Sequence, residues 1–380
     1  MRRVSTFELR LHEGKAPPWL ITRMEKVAKP ILELLVINFG TTELLRRLAD
    51  PLWFQALSYV LGYDWDSSGV TTVTIGVLKG ICTPDLGLMI AGGKGRRSLR
   101  TPEEIVKIAQ TFGFSESKTA SLIRASRLAA KVDNAVLQDE HKLYHHAMLI
   151  DKNGNWAVIQ QGMCPARKTA RRYHWTSLSL KSFVIDPHEI IGDVRLPIVL
   201  NMASSESINA QKVSLDLVKD GIESLKKDYS KLMRLAKRLA PLDKFLTNTP
   251  DNISLPGELR IKLIPMRLNW EALNKAYEIQ PSSYEELVEI KGLGPGTIRA
   301  LALIAELIYD AKVCWKDPIR YTFAHGGKDG VPYQVNVKRM EEVAEFLESV
   351  IEDLSIGKRE KLEMLNRLSK LVPRDASKSV

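Results

Sequence analysis

The chain has 380 residues, with 55 lysines and arginines against 45 aspartates and glutamates and a formal charge of +10. That length suffices for two or three domains, and the basic excess suits an anionic partner such as nucleic acid or a membrane surface. No apolar run reaches the roughly 18 residues of a membrane-spanning helix, and Cys82, Cys164 and Cys314 match neither a zinc spacing nor a disulfide framework. Met1 to Ser5 carry no hydrophobic signal core, so a cytoplasmic protein without membrane contact is expected.

Residues 18–60 are expected to be helical, because Leu20, Met24, Val27, Ile31 and Leu35 recur at helical spacing. Val70 to Ile75 are rich in β-branched residues and fit a strand or a buried helix running on through Val77 and Leu78. Residues 91–100 read as a flexible basic loop. Thr101-Pro102-Glu103-Glu104 is a helix start, and a second follows at Ser115. Two strands are expected at 143–151 and 156–163, joined at Asn153-Gly154. Arg167, Lys168, Arg171 and Arg172 then precede Tyr173, His174 and Trp175, and such interleaving suits phosphate contacts plus base stacking. Strand and loop follow over 183–200, polar helices over 204–247, a linker over 250–256, and a charged amphipathic segment over 338–372.

The expected fold class is α+β: a mainly helical multi-domain protein with a central β-hairpin region and a C-terminal helix-hairpin-helix domain. The expected segments are 1–140 (helical), 141–203 (β-containing), 204–256 (connector), 257–340 (DNA-binding) and 341–380 (amphipathic helix and tail).

Residues 284–310 carry the strongest functional signal. Two helical patterns flank Gly292-Leu293-Gly294-Pro295-Gly296, with Leu293 as an apolar tip. Such a turn presents orphan N–H groups at the positive end of a helix dipole, where an anion is favoured. Lys291, Thr297 and Arg299 stand where a cation or hydroxyl would reach a phosphate. The stretch resembles the helix-hairpin-helix motif, which implies non-specific grip of one DNA strand.

Phosphodiester hydrolysis usually needs hard ligands around a divalent metal such as Mg or Mn. His146, Asp151, Gln160, Gln161 and His174 are the candidates, with Asp151 as the metal ligand. The spacing of Asp151 and Gln160 resembles the core of restriction-type nucleases, although the lysine expected two residues further on is absent: positions 162 and 163 are glycine and methionine. Lys15, Lys94 and Lys328 each sit beside glycine, and with His325 they form a candidate phosphate-binding set. The Gly-x-x-x-x-Gly-Lys-Ser/Thr pattern of a P-loop is absent.

Several segments together resemble a prokaryotic family, archaeal and bacterial, known as domain of unknown function 763. They are His12 to Pro17, Ser68 to Thr72, Ala91 to Gly95, His146 to Met163, Ala170 to Trp175 and Phe323 to Gly330. Glu13 stands where a further glycine is expected, and the resemblance implies no activity. The hairpin also resembles that of base-excision glycosylases, which implies a catalytic role for Asp317; Gly296 stands where bifunctional members carry lysine. The resulting expectations are a metal-dependent nuclease of DNA repair, a glycosylase or abasic-site enzyme, or a non-catalytic DNA-binding protein.

Overall fold

A computed structural model describes residues 16–63, 69–192, 195–239, 268–319, 337–354 and 356–369. Four helices open it: α1 (Pro18–Phe39), α2 (Thr41–Ala49), α3 (Pro51–Val60) and α4 (Gly69–Ile81). Asp50 starts α3 by accepting from the Leu52 and Trp53 amides at 2.9 and 3.2 Å, with Pro51 at the first helical position. The β-branched run 70–75 lies inside α4, where burial of Val70, Thr71, Thr74 and Ile75 overrides strand propensity.

Strand β1 (Leu88–Lys94) is followed by a 3-10 turn, Gly95–Arg100. The 91–100 stretch is therefore ordered secondary structure, because β1 pairs with β3 over its full length. Helices α5 (Thr101–Phe112) and α6 (Glu116–Lys131) match the two sequence starts; Ser115 caps α6 by accepting from the Lys118 amide at 3.2 Å. A π-helical turn, Val132–Val136, leads to β2 (Leu137–Gln138).

Then come β3 (Lys142–Asp151), β4 (Trp156–Cys164), β5 (Thr169–Thr176), β6 (Glu189–Gly192) and β7 (Leu200–Asn201). The main sheet has the order β1-β3-β4-β5-β6, with every neighbouring pair antiparallel; β2 and β7 form a separate ribbon. The remaining helices are α7 (Ile208–Lys219), α8 (Ile222–Leu239), α9 (Trp270–Ile279), α10 (Tyr284–Glu289), α11 (Pro295–Tyr309), α12 (Val337–Asp353) and α13 (Lys358–Leu368). The protein is α+β and mainly helical.

Side chains alternate across a strand, so a sheet has two faces to cover. Ala147, Leu149, Ala157 and Ile159 pack with Leu32, Leu45, Phe54 and Leu78 of the first four helices. Met148, Ile150, Val158, Tyr173 and Trp175 pack with Ile105, Leu122, Leu128 and Leu301 on the other face. Antiparallel sheets commonly leave one face in water; this one has helices on both. Leu347, Ile351 and Met364 of α12 and α13 return to the core of α1–α4. The two cores therefore cut across the five segments expected from sequence.

Candidate functional site

Helices α10 and α11 form the helical hairpin that the sequence signalled. Ser283 accepts from the Glu286 amide at 3.2 Å, and Glu286 reaches back to the Ser282 amide at 2.7 Å, completing a cap. Gly292 adopts φ +96°, and a Cβ there would stand 2.9 Å from that of Ala272. No other residue type fits both conditions. Asn269 braces the turn by donating to the Gly292 carbonyl at 3.1 Å, and Lys131 donates to the Ile290 carbonyl at 3.3 Å.

Lys291, Gly292 and Pro295 are exposed, and a Cβ on Gly294 would meet nothing within 4 Å. Gly294 caps α11, so the first-turn amides, Gly296 among them, have no acceptor within the helix. Leu293, the apolar tip, is a buried plug that does not reach a ligand. Two expectations for this hairpin are corrected. Thr297 is buried, its hydroxyl accepting from the Asn269 amide at 3.3 Å. Arg299 turns aside to donate to Gln138 Oε1 at 2.6 Å, an anchor between α11 and β2.

The basic, aromatic stretch is corrected further. Residues 169–176 are strand β5, which lies between β4 and β6 in the sheet, and its arginines are interior. Arg171 donates to Asp139 at 2.9 Å and, through both terminal nitrogens, to Asp317. Burial opposes its charge, but the Asp139 and Asp317 carboxylates hold its pKa up. Arg172 donates to Gln55 at 3.0 Å and to His174 Nε2 at 2.8 Å, and lies 4.9 Å from the Phe54 ring centre. Burial draws its pKa down to about 9. Only Arg167 and Lys168 are exposed, in the turn before β5, where Arg167 pairs with Glu140 at 2.7 Å.

The expected catalytic group does not converge. Asp151 ends β3 and is fully buried; its Oδ1 accepts from the Asn153 and Asn155 amides at 2.9 and 2.8 Å, and its Oδ2 from Thr42 at 2.8 Å. It shapes the β3–β4 turn. Gln161 and His174 share the face toward α1–α4; Gln161 donates to the Tyr144 hydroxyl. His174 is locked as a neutral ring: Nε2 accepts from Arg172, Nδ1 donates to the Ala49 carbonyl at 3.0 Å, and burial followed by the Arg172 charge holds its pKa well below normal.

His146 and Gln160 lie on the opposite face. The Gln160 amide nitrogen donates to Asp133 at 2.6 Å, so its oxygen accepts from His146 Nδ1 at 2.7 Å. Ser126 then donates to His146 Nε2 at 2.8 Å. Asp317 is also structural: besides Arg171, it accepts from the Leu196 and Ile319 amides at 2.6 and 3.2 Å. Lys94 is exposed at the end of β1; Lys15, His325 and Lys328 lie outside the described residues. Among the described residues, no three His, Cys, Asp or Glu side chains gather to hold a metal ion.

Sequence reasoning missed two acids. Asp133, on the π turn, accepts from Gln160 and from Trp175 Nε1 at 2.8 Å, and lies 2.7 Å from His188 Nε2; burial raises its pKa. Asp139 accepts from Arg171 and from the Tyr173 hydroxyl at 2.8 Å; burial opposes its ionisation, but His141 and Arg171 bring its pKa down to about 2. Asp133 lies in the turn after α6 and Asp139 just after β2, in a stretch with no motif to mark either. His188 lines a cleft of about 760 Å³ with His174, Asp50, Arg46, Lys181 and Asp186.

One family model, described as "Protein of unknown function (DUF763)", matches residues 5–335. Neither a curated protein nor a solved structure matches the chain.

Proposed function

The chain belongs to the family of unknown function DUF763, and we propose that it binds DNA through the phosphate backbone, with the 290–296 hairpin as the contact. The observation that carries this reading is the open cap of α11: Gly294 has free space where a Cβ would stand, beside exposed Lys291 and first-turn amides without helical acceptors. Contacts of this kind fix register on a strand and carry no sequence information. The net charge of +10 favours the same class of partner.

Gly294→Val tests it. Position 294 has φ −88° and open surroundings, so the variant keeps the fold while its side chain blocks phosphate approach. Affinity for labelled DNA should drop by roughly tenfold or more, alike for all sequences, and binding should weaken with salt. Unchanged affinity in a variant with normal melting would remove the hairpin from the interface.

A second reading, hydrolysis of the bound DNA in repair, is favoured by the cleft beside His188, whose ring nitrogen lies against the buried Asp133 carboxylate. An acid behind an imidazole is the arrangement that orients a general base. End-labelled damaged, branched and single-stranded DNAs, incubated with and without Mg or Mn, test it against His188→Ala. Cleavage that persists in the variant would rule out this centre.

A further inference from the structure

Strand β1 is clipped in place two residues before its end. Gly92 has φ +90°, and a Cβ there would stand 2.3 Å from the His146 carbonyl oxygen, so β1 and β3 close together. The Gly92 amide donates to Glu104 at 2.7 Å and its carbonyl accepts from Lys79 at 2.7 Å, while Lys79 and Glu104 pair with each other. Beyond this clip, the 3-10 turn is held by Ser98 donating to the Gly95 carbonyl and Thr101 donating to the Ser98 carbonyl, both at 2.7 Å.

This turn carries Lys94, Arg96, Arg97 and Arg100 and no acid. All four cations are exposed, and among the described residues none is ion-paired or hydrogen-bonded; Lys94 lies 6.0 Å from the Tyr144 ring centre. Several surface cations elsewhere do have acids: Arg124 has Glu285 and Glu289, Arg167 has Glu140, and Lys312 and Lys316 share Glu206. Leu99 stands 78% exposed between Ser98 and Arg100.

We infer that the 94–100 turn is a second nucleic-acid contact, in which its cations meet backbone phosphates and Leu99 packs against bases or sugars. The inference rests on the DNA reading of the hairpin and adds a site to it. Closely spaced like charges on a rigid backbone repel one another, and a phosphate chain relieves that repulsion while releasing its own counterions. A lone leucine buries too little apolar surface to hold a protein on a bilayer, but one apolar side chain is a sufficient wedge against a base step. The two contacts are linked through α6: Ser126 bonds His146, which pairs with Gly93, and Lys131, five residues on, touches the Ile290 carbonyl.

The test uses the full chain and labelled 30-nucleotide single and double strands. Arg96→Ala/Arg97→Ala/Arg100→Ala should lose about tenfold to hundredfold in affinity near 0.1 M salt, and its salt slope should fall by about two to three. The matching Arg→Lys triple should keep most of the affinity. Leu99→Ala should weaken binding several-fold with the slope unchanged, since it removes no charge. Melting should match the parent throughout, because none of these side chains holds a neighbour in place. Unchanged affinity and slope in the alanine triple would overturn the inference. So would loss of binding to phosphatidylserine vesicles with nucleic-acid binding intact, which would assign the turn to a membrane. If Gly294→Val weakens binding and the triple does not, the hairpin stands and the turn falls; the reverse outcome removes the hairpin and keeps the turn.

Discussion

Residues 94–100 and 167–175 are both dense in lysine and arginine, and the fold treats them in opposite ways. The first keeps four cations in water with no acid partner among the described residues; the second takes Arg171 and Arg172 to 1% and 0% exposure. What separates them is the company of the charges. Arg171 alternates with Tyr173 and Trp175 on one side of β5, and Arg172 with His174 on the other. Because helices cover both sides, residues 170–175 of β5 are all interior. The 94–100 turn has no aromatic and one leucine, and nothing there draws it into a core. A cation among alternating aromatics on a strand is thus a structural group with a buried partner, whereas a cation beside glycine and serine remains available.

The sharpest way to break this comparison is Arg171→Met. The substitution leaves Asp139 and Asp317 buried without their cation, and removing one partner of a buried pair costs about 3–5 kcal/mol. Chemical denaturation should show that loss as a lower midpoint at unchanged slope. Arg172→Met should cost less, because Arg172 is held by Gln55, His174 and the Phe54 face instead of a carboxylate. A stable Arg171→Met protein that no longer bound DNA would mean that β5 is a binding strand after all.

A pH profile sharpens the same contrast on the α1–α4 face. His145 is buried, neither ring nitrogen has a hydrogen-bond partner among the described residues, and burial, with His146 and Lys94 adding to it, draws its pKa down to about 3. The unfolded chain takes up that proton near pH 6.5. The stabilisation from the neutral ring is therefore complete above about pH 6.5 and falls by roughly 1.4 kcal/mol per unit as the pH drops toward the folded value. His145→Leu should flatten this acid limb and change stability at pH 8 by no more than about 1 kcal/mol, since no hydrogen bond is lost. An acid limb as steep as the parent's would place the titration elsewhere.

These residues also show how much was legible. Periodicity located α1–α3, the Thr101 and Ser115 starts, the β3–β4 hairpin and the α10–α11 pair, because each rests on local pattern and capping. The family was legible from dispersed glycine and histidine segments, and its match spans 5–335. The candidate site was legible only at the 291–296 turn. His146 and Gln161 look adjacent in a hairpin, yet the register sends them to opposite faces. Asp139 and Asp317 meet on Arg171 although 178 residues separate the two acids in sequence, and no local signal announces a long-range ion pair.

The smallest expected effect comes from Arg167→Ala/Lys168→Ala, which removes the two cations of the 166–175 stretch that do reach solvent. Arg167 and Glu140 are about half exposed, at 48% and 51%, so breaking their pair should change stability by less than about 1 kcal/mol. Lys168 has φ +57° in the turn, a backbone state that alanine adopts no better than lysine, so its loss adds little. For DNA, Arg167 starts with a carboxylate at 2.7 Å that a phosphate would have to displace, while Arg96, Arg97 and Arg100 start with none among the described residues. The double variant should therefore lower the salt slope by less than about one, against two to three for the 94–100 triple. Equal losses from the two sets would show that exposure alone governs binding and that the acid beside Arg167 makes no difference.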